Sequence, residues 1–131
     1  MKRLLMLLAA ALPMASGARA GDPVSAAPSA PELLSGEALV VDIREPAEWR
    51  ETGVLPTAVL FTYRDAAGFL ARIEPQLKPG QPIALLCRSG RRSAAAAAAI
   101  AARTDHPVID VAGGLGRLVR EGYQPSPCPA C

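Results

Sequence analysis

Aromatic side chains are scarce in this chain: one tryptophan, two tyrosines and two phenylalanines in 131 residues. The core must therefore be built from aliphatic side chains and alanine. Cysteine is scarcer still, at three, too few for a disulfide framework. The single histidine, His106, lies in an expected loop and adds little to a metal site. No metal ligand set and no organic cofactor are expected. Neither sign of charge dominates, with 14 Lys and Arg against 12 Asp and Glu. Charged residues make up 20% and hydrophobic residues 50% of the chain, which argues against a disordered protein. The length allows one domain.

The first twenty residues read as an address. Lys2 and Arg3 precede an apolar run from Leu4 to Leu12, Pro13 breaks the run, and Ala18-Arg19-Ala20 offers small residues for cleavage. This is the pattern of a secretory signal peptide over residues 1–20. The run falls short of the about 20 apolar residues that span a bilayer as a helix, although an uncleaved membrane anchor is the alternative. Without Lys2, Arg3 and Arg19 the remainder holds 11 basic and 12 acidic residues, formally −1. That balance points to neither nucleic acid nor an anionic membrane surface as a partner. The expected location is exported, in an oxidising compartment such as the periplasm.

Residues 21–31 hold three prolines, three alanines and two serines and read as a flexible linker. Beyond them, apolar runs alternate with helical patterns. Strands are expected at 38–43, 59–63, 82–87 and 107–111. Helices are expected at 46–52, from Asp65 to about Leu77, at 93–102 and from Gly113-Gly114 to Gly122. The alternation predicts an α/β fold with a central parallel β-sheet and helices on both faces. In such sheets a ligand sits beyond the carboxyl ends of the strands.

Cys87 stands at one of those ends. The stretch Cys87-Arg88-Ser89-Gly90-Arg91-Arg92-Ser93 enters a helix. A loop entering a helix aims backbone N–H groups at one spot, and the helix dipole favours negative charge there. Gly90 permits the tight curvature, and Arg88, Arg91 and Arg92 add forked donors for an oxyanion. A cysteine so placed is expected as a thiolate nucleophile toward an anion with electrophilic sulfur, phosphorus or arsenic. Alone, a cysteine at a strand end reads as a small buried hydrophobe. The whole cluster argues for chemistry.

The motif Cys-Arg-Ser-Gly-x-Arg-Ser at Cys87 to Ser93 resembles the active-site loop of rhodanese-type sulfurtransferases. Val41-Asp42-Ile43-Arg44-Glu45-Pro46-Ala47-Glu48-Trp49 is similar to that family's first strand and following turn. Gly53-Val54-Leu55-Pro56-Thr57-Ala58 and the segment from Gly113-Gly114 to Pro125 match later family segments. Val54 stands where the family usually has histidine, and Leu118 where it often has tryptophan. The resemblance covers residues 32–125 and implies a rhodanese-like domain. It implies a persulfide on Cys87, loaded from thiosulfate or a similar donor and passed to a thiol or cyanide acceptor. The substrate-binding residues would be Arg88, Ser89, Gly90, Arg91, Arg92 and Ser93. The N–H groups from Arg88 to Ser93 would hold the persulfide charge, and Arg88 and Arg92 the donor anion. Asp42 and Arg44 would brace the loop, contact substrate, or pair to stabilise the fold. The related cysteine-dependent phosphatases and arsenate reductases have one more residue between cysteine and arginine than separates Cys87 from Arg92, so that reading ranks lower.

Residues 126–131 form a tail with the pair Cys128 and Cys131. Three readings stand: a small disulfide without a role, a redox pair that accepts sulfur from Cys87 or reduces it, or metal binding across subunits. Three functions follow: an exported sulfurtransferase, a sulfur or redox relay acting with a partner protein through Cys87 and the tail pair, and a catalytically idle binding domain. An intact cysteine and arginine cradle argues against the last.

Overall fold

A computed structural model describes residues 21–129 and 131. The expected signal peptide, residues 1–20, lies outside the described residues. Five strands form one parallel sheet: β1 (Val24–Ala26), β2 (Leu39–Asp42), β3 (Val59–Leu60), β4 (Ile83–Leu86) and β5 (Val108–Val111), in the order β1-β5-β4-β2-β3. The helices are α1 (Ala30–Leu34), α2 (Pro46–Thr52), α3 (Ala66–Ile73), α4 (Arg91–Ala101) and α5 (Gly114–Arg120). Among the described residues no helix is long and apolar enough to cross a membrane.

Alternation along the strands explains the two cores. Val41, Ile43, Ile83, Leu85 and Cys87 face α3 and α4, where Phe69, Ile73, Ala97 and Ile100 are fully buried. Val40, Ala84, Leu86 and Val111 face α1 and α5, which supply Leu33, Leu115 and Leu118. The alanines of α4 let it lie close to the sheet, since each side chain is only a methyl group. Val41 and Ile83 are apolar on a sheet covered on both faces, as a parallel sheet requires.

The segment expected as a flexible linker, residues 21–31, is instead ordered. Val24–Ala26 pairs in parallel with Ile109–Val111. Ser29 then caps α1: its hydroxyl accepts from the Glu32 N–H at 3.3 Å, and the Glu32 carboxylate accepts from the Ser29 N–H at 3.2 Å. This reciprocal box satisfies two N–H groups at the helix start. Arg117 secures the same segment, donating from Nη2 to the Pro28 carbonyl at 2.8 Å and from Nε to the Ala112 carbonyl at 2.7 Å.

Other departures are smaller. The expected helix from Asp65 to Leu77 begins as foreseen, with the Asp65 carboxylate accepting the Gly68 N–H at 2.7 Å. It ends at Ile73 and continues as a 3-10 turn, Glu74–Gln76, because Pro75 cannot continue the α-helical hydrogen-bond ladder. The expected strand at 59–63 pairs as a ladder only over Val59–Leu60, while the Phe61 and Tyr63 N–H groups donate to the Asp42 and Ile43 carbonyls. The tail turns back on the domain: Val54 and Ser126 exchange backbone hydrogen bonds of 2.8 and 2.9 Å. Val54 is thus a buried, extended residue in an antiparallel bridge, a place that suits a β-branched side chain.

Candidate active site

β4 delivers Cys87 to the carboxyl edge of the sheet, beside the end of β2, whose Ile43 N–H donates to the Leu86 carbonyl at 2.9 Å. The Cys87 side chain is fully buried. The chain then turns through Arg88 and Ser89 to Gly90, whose φ of 94° lies in the left-handed region that glycine enters without strain. That turn aims the Gly90 N–H at Cys87 Sγ, 3.1 Å away. Ser93, in the first turn of α4, brings its hydroxyl within 3.4 Å of the same sulfur.

A second helix start closes the loop from the other side. The N–H groups of Leu115 and Gly116 on α5 donate to the Cys87 and Arg88 carbonyls at 2.8 and 2.9 Å. Gly114 makes this approach possible. A Cβ there would stand 2.5 Å from the Cys87 carbonyl oxygen and 2.6 Å from the Arg88 carbonyl. Its φ of 58° is left-handed as well. The Gly113-Gly114 pair is therefore a feature of the site, beyond its role in starting a helix.

The three arginines divide into two kinds. Arg92 turns onto Glu48 of α2 and donates from both terminal nitrogens to its two carboxylate oxygens at 2.7 Å each. The Arg92 hydrogen bond holds the Glu48 carboxyl down at about 2, well below the usual 4.5, against the opposing effect of burial. The same contact raises the Arg92 guanidinium above its ordinary value. The Glu48 carboxylate also accepts the Glu45 N–H at 3.0 Å, so one side chain fixes the start of α2 and the Arg92 fork. Arg88 and Arg91 are exposed and make no ion pair among the described residues. Their guanidinium groups are exposed at this edge, whereas that of Arg92, expected at the donor anion, is paired with Glu48.

Asp42 and Arg44, expected as supporting residues, form a fully buried pair at the end of β2. Arg44 Nε and Nη2 both donate to Asp42, and its remaining donors reach Thr52 Oγ1 at 2.6 Å and the Gly53 carbonyl at 2.8 Å. The pair ties the strand end to the far end of α2, which fixes the helix that carries Glu48. Of the backbone N–H groups expected to cradle the sulfur, the Gly90 N–H reaches Sγ. Arg92, Glu45, Ile43, Tyr63, Ala95 and Ala96 line an adjacent cavity of about 280 Å³.

Cys128 and Cys131 are joined as a disulfide, with Cα atoms 5.6 Å apart, and Cys131 is exposed. His106 lies in a loop away from this edge, its Nδ1 2.9 Å from the Gln81 carbonyl. Among the described residues no group of three His, Cys, Asp or Glu side chains gathers to hold a metal ion. Sequence reasoning missed the roles of Glu48, Asp110 and Gly114. Asp110 carried a signal, being the one charged residue inside the apolar run of β5.

A family model described as "Rhodanese-like domain" matches residues 27–121. Among solved structures, a rhodanese-related protein from Thermoplasma volcanium is 26% identical, with a TM-score of 0.55 over 74% of this chain and 93% of its own. A protein of unknown function from Rhodopseudomonas palustris, described as a possible tyrosine phosphatase, is 24% identical. Its TM-score is 0.59 over 80% of this chain and 84% of its own. A rhodanese-like domain protein from Staphylococcus aureus is 20% identical, with a TM-score of 0.57 over 79% and 98%. The last two likenesses speak to the fold alone. No curated protein matches the chain.

Proposed function

Because the chain belongs to the rhodanese-like domain family, we propose that it is a sulfurtransferase that carries sulfane sulfur as a persulfide on Cys87. The observation that carries this reading is the Gly90 N–H aimed at a buried Cys87 Sγ at 3.1 Å, at the head of α4. A fixed N–H donor and a helix start stabilise negative charge on sulfur, before and after it is loaded. The Cys87 thiolate attacks the outer sulfur of thiosulfate. The sulfur–sulfur bond of the donor breaks, and sulfite leaves with the electron pair. An acceptor thiolate, or cyanide, then takes the outer sulfur and returns the Cys87 thiolate. Arg88 and Arg91 draw the donor anion to the loop, with Ser89 between them.

The spacing from Cys87 to Arg92 favours sulfur over phosphoryl transfer, since the loop is one residue shorter than in the related phosphatases. The test is the intact mass of the pre-reduced protein after incubation with thiosulfate, beside Cys87→Ser. A gain of one sulfur that Cys87→Ser abolishes supports the reading. No adduct, with hydrolysis of an aryl phosphate or reduction of arsenate, would favour the phosphatase and reductase alternatives.

A second reading rests on the Cys128–Cys131 disulfide, clipped to the domain by the Val54–Ser126 bridge. Once a partner dithiol has reduced this pair, it can discharge Cys87. The tail dithiol is oxidised to the disulfide, the outer sulfur leaves as hydrogen sulfide, and the Cys87 thiol is restored. A chain ending at Pro127 that keeps its persulfide longer than the full chain would support this relay. We also propose that residues 1–20 are a signal peptide and the protein is exported to the periplasm. The support is Lys2-Arg3 ahead of the apolar run, and N-terminal sequencing of the protein from its native host checks it.

A further inference from the structure

Behind Cys87 lies a carboxylate that sulfur transfer as described does not use. Asp110 sits on β5 opposite Leu85 of β4. It is 7% exposed and pairs with no cation among the described residues. A buried carboxylate without a cation is costly unless hydrogen bonds compensate. Two serines do so: Ser93 Oγ donates to Oδ1 at 2.5 Å, and Ser25 Oγ donates to Oδ2 at 3.3 Å. Ser93 itself is fully buried and stands 3.4 Å from Cys87 Sγ.

The serine has one proton and two acceptors, Asp110 Oδ1 and the Gly90 carbonyl at 3.2 Å. The charged and closer acceptor wins that proton. The Ser93 lone pairs are then left facing sulfur, so Cys87 donates to Ser93 and Ser93 donates to Asp110.

We propose that Asp110 is a positioning residue that, through Ser93, sets the proton state of Cys87. The three side chains form a line along which one proton moves. The Sγ–H bond breaks as an Oγ–H bond forms on Ser93, and the proton that Ser93 held passes to Asp110 Oδ1. The line then holds a Cys87 thiolate and a neutral carboxylic acid. The reverse shift returns the proton when Cys87 is released at the end of a transfer. No oxidant or reductant takes part. On this proposal one proton is held between sulfur and carboxylate, and removing it leaves two anions one serine apart, which repel each other.

The other charges facing the sulfur are accounted for. Arg88 is on the loop, Arg91 opens α4, Arg92 is bound to Glu48, and Asp42 is bound to Arg44. The carboxyl of Glu48 titrates at about 2, below the range in question.

The inference takes Cys87 as the nucleophile of the proposed reaction, yet its test needs no sulfur donor, so the two fail separately. The experiment follows the ultraviolet thiolate absorption of the full chain against pH, with Cys87→Ser as the blank that removes the tail cysteines. The wild type is expected to rise in two steps separated by a plateau. The first is the loss of one of the two protons the pair holds in acid, which leaves one shared, and the second, in alkali, is the loss of that shared proton. Asp110→Asn is expected to lose the plateau and show one step. Ser93→Ala, which cuts the line while keeping the carboxylate, is expected to do the same. It also carries the test if Asp110→Asn does not fold. Ser25→Ala, which touches only the far oxygen, retains both steps. One step in the wild type, or two steps surviving in either Asp110→Asn or Ser93→Ala, overturns the proposal.

Discussion

Arg92 and Glu48, 44 residues apart in sequence, meet in a two-bond fork with both distances at 2.7 Å. The contact joins the head of α4 to the first turn of α2. It also fixes a pH dependence. The folded carboxyl titrates at about 2 instead of 4.5, so its contribution to stability is complete above the ordinary value and fades as pH falls from 4.5 toward 2. The pair is partly exposed, at 47% and 25%, and solvent screening reduces its worth to about 0.5–1 kcal/mol. Glu48→Gln is expected to lower stability by that amount at neutral pH and by nothing near pH 2. Urea unfolding at a series of pH values checks this. A deficit of equal size at both ends would mean that the charge contributes nothing.

The buried Asp42–Arg44 pair is expected to behave differently. Removing one partner leaves a charge without compensation, which costs about 3–5 kcal/mol. Arg44→Leu also orphans the Thr52 hydroxyl contact and the Gly53 carbonyl. Asp42→Asn combined with Arg44→Leu should cost little more than Arg44→Leu alone, because the partners act as one unit. Chemical denaturation of the single and double variants measures the coupling, and simple additivity would refute it.

Gly114→Ala places a methyl group against the carbonyls of Cys87 and Arg88. The loop must then move, and a displacement of order 1 Å at a reacting group costs about 10²-fold in rate. Sulfur loading from thiosulfate should fall on that scale while the circular dichroism spectrum stays that of a folded domain. Gly122→Ala is the control. Its φ of 102° is also positive, but nothing lies within 4 Å of the added atom, so it should lose about 1–3 kcal/mol of stability and keep its loading rate.

The tail offers a fourth test. A Cβ on Gly53 would stand 2.6 Å from the Ser126 carbonyl oxygen. Gly53→Ala is therefore expected to unfasten the Val54–Ser126 bridge. Hydrogen exchange at the Val54 and Ser126 amides should accelerate, while exchange in β4 is unchanged. Unaltered protection at both amides would show that the bridge tolerates the methyl group.

The parallel sheet and the loop after Cys87 were legible in the sequence because both are local patterns. β4 is a continuous apolar run, and the loop is a fixed spacing of cysteine, glycine and arginine ahead of an alanine-rich helix. β1 was hidden because three prolines surround a strand of three residues at a sheet edge, where pairing with a distant strand, not local preference, makes it a strand. The Ser29–Glu32 box that starts α1 is a local signal, masked by the prolines around it. Ser93 was visible as a loop residue and Glu48 as a helix residue. Their partners were not, because contacts of Ser93 with Asp110 and of Glu48 with Arg92 are set by strand order and helix placement. Gly114 looked like a helix start, and only the approach of the Cys87 carbonyl shows why no side chain fits there.

The pairing of the first strand with the last has a kinetic side. Ser25 and Asp110, joined by a hydrogen bond, are 85 residues apart, so β1 can dock only once β5 is in place. Contacts closed over so long a loop form late, and a strand of three residues at a sheet edge is the first to fray. Ser25 is the contact β1 makes with the Asp110 carboxylate, so fraying of β1 would free Oδ2 while the bond from Ser93 to Oδ1 remained. That oxygen would then take its hydrogen bond from water, through local unfolding of the edge strand alone.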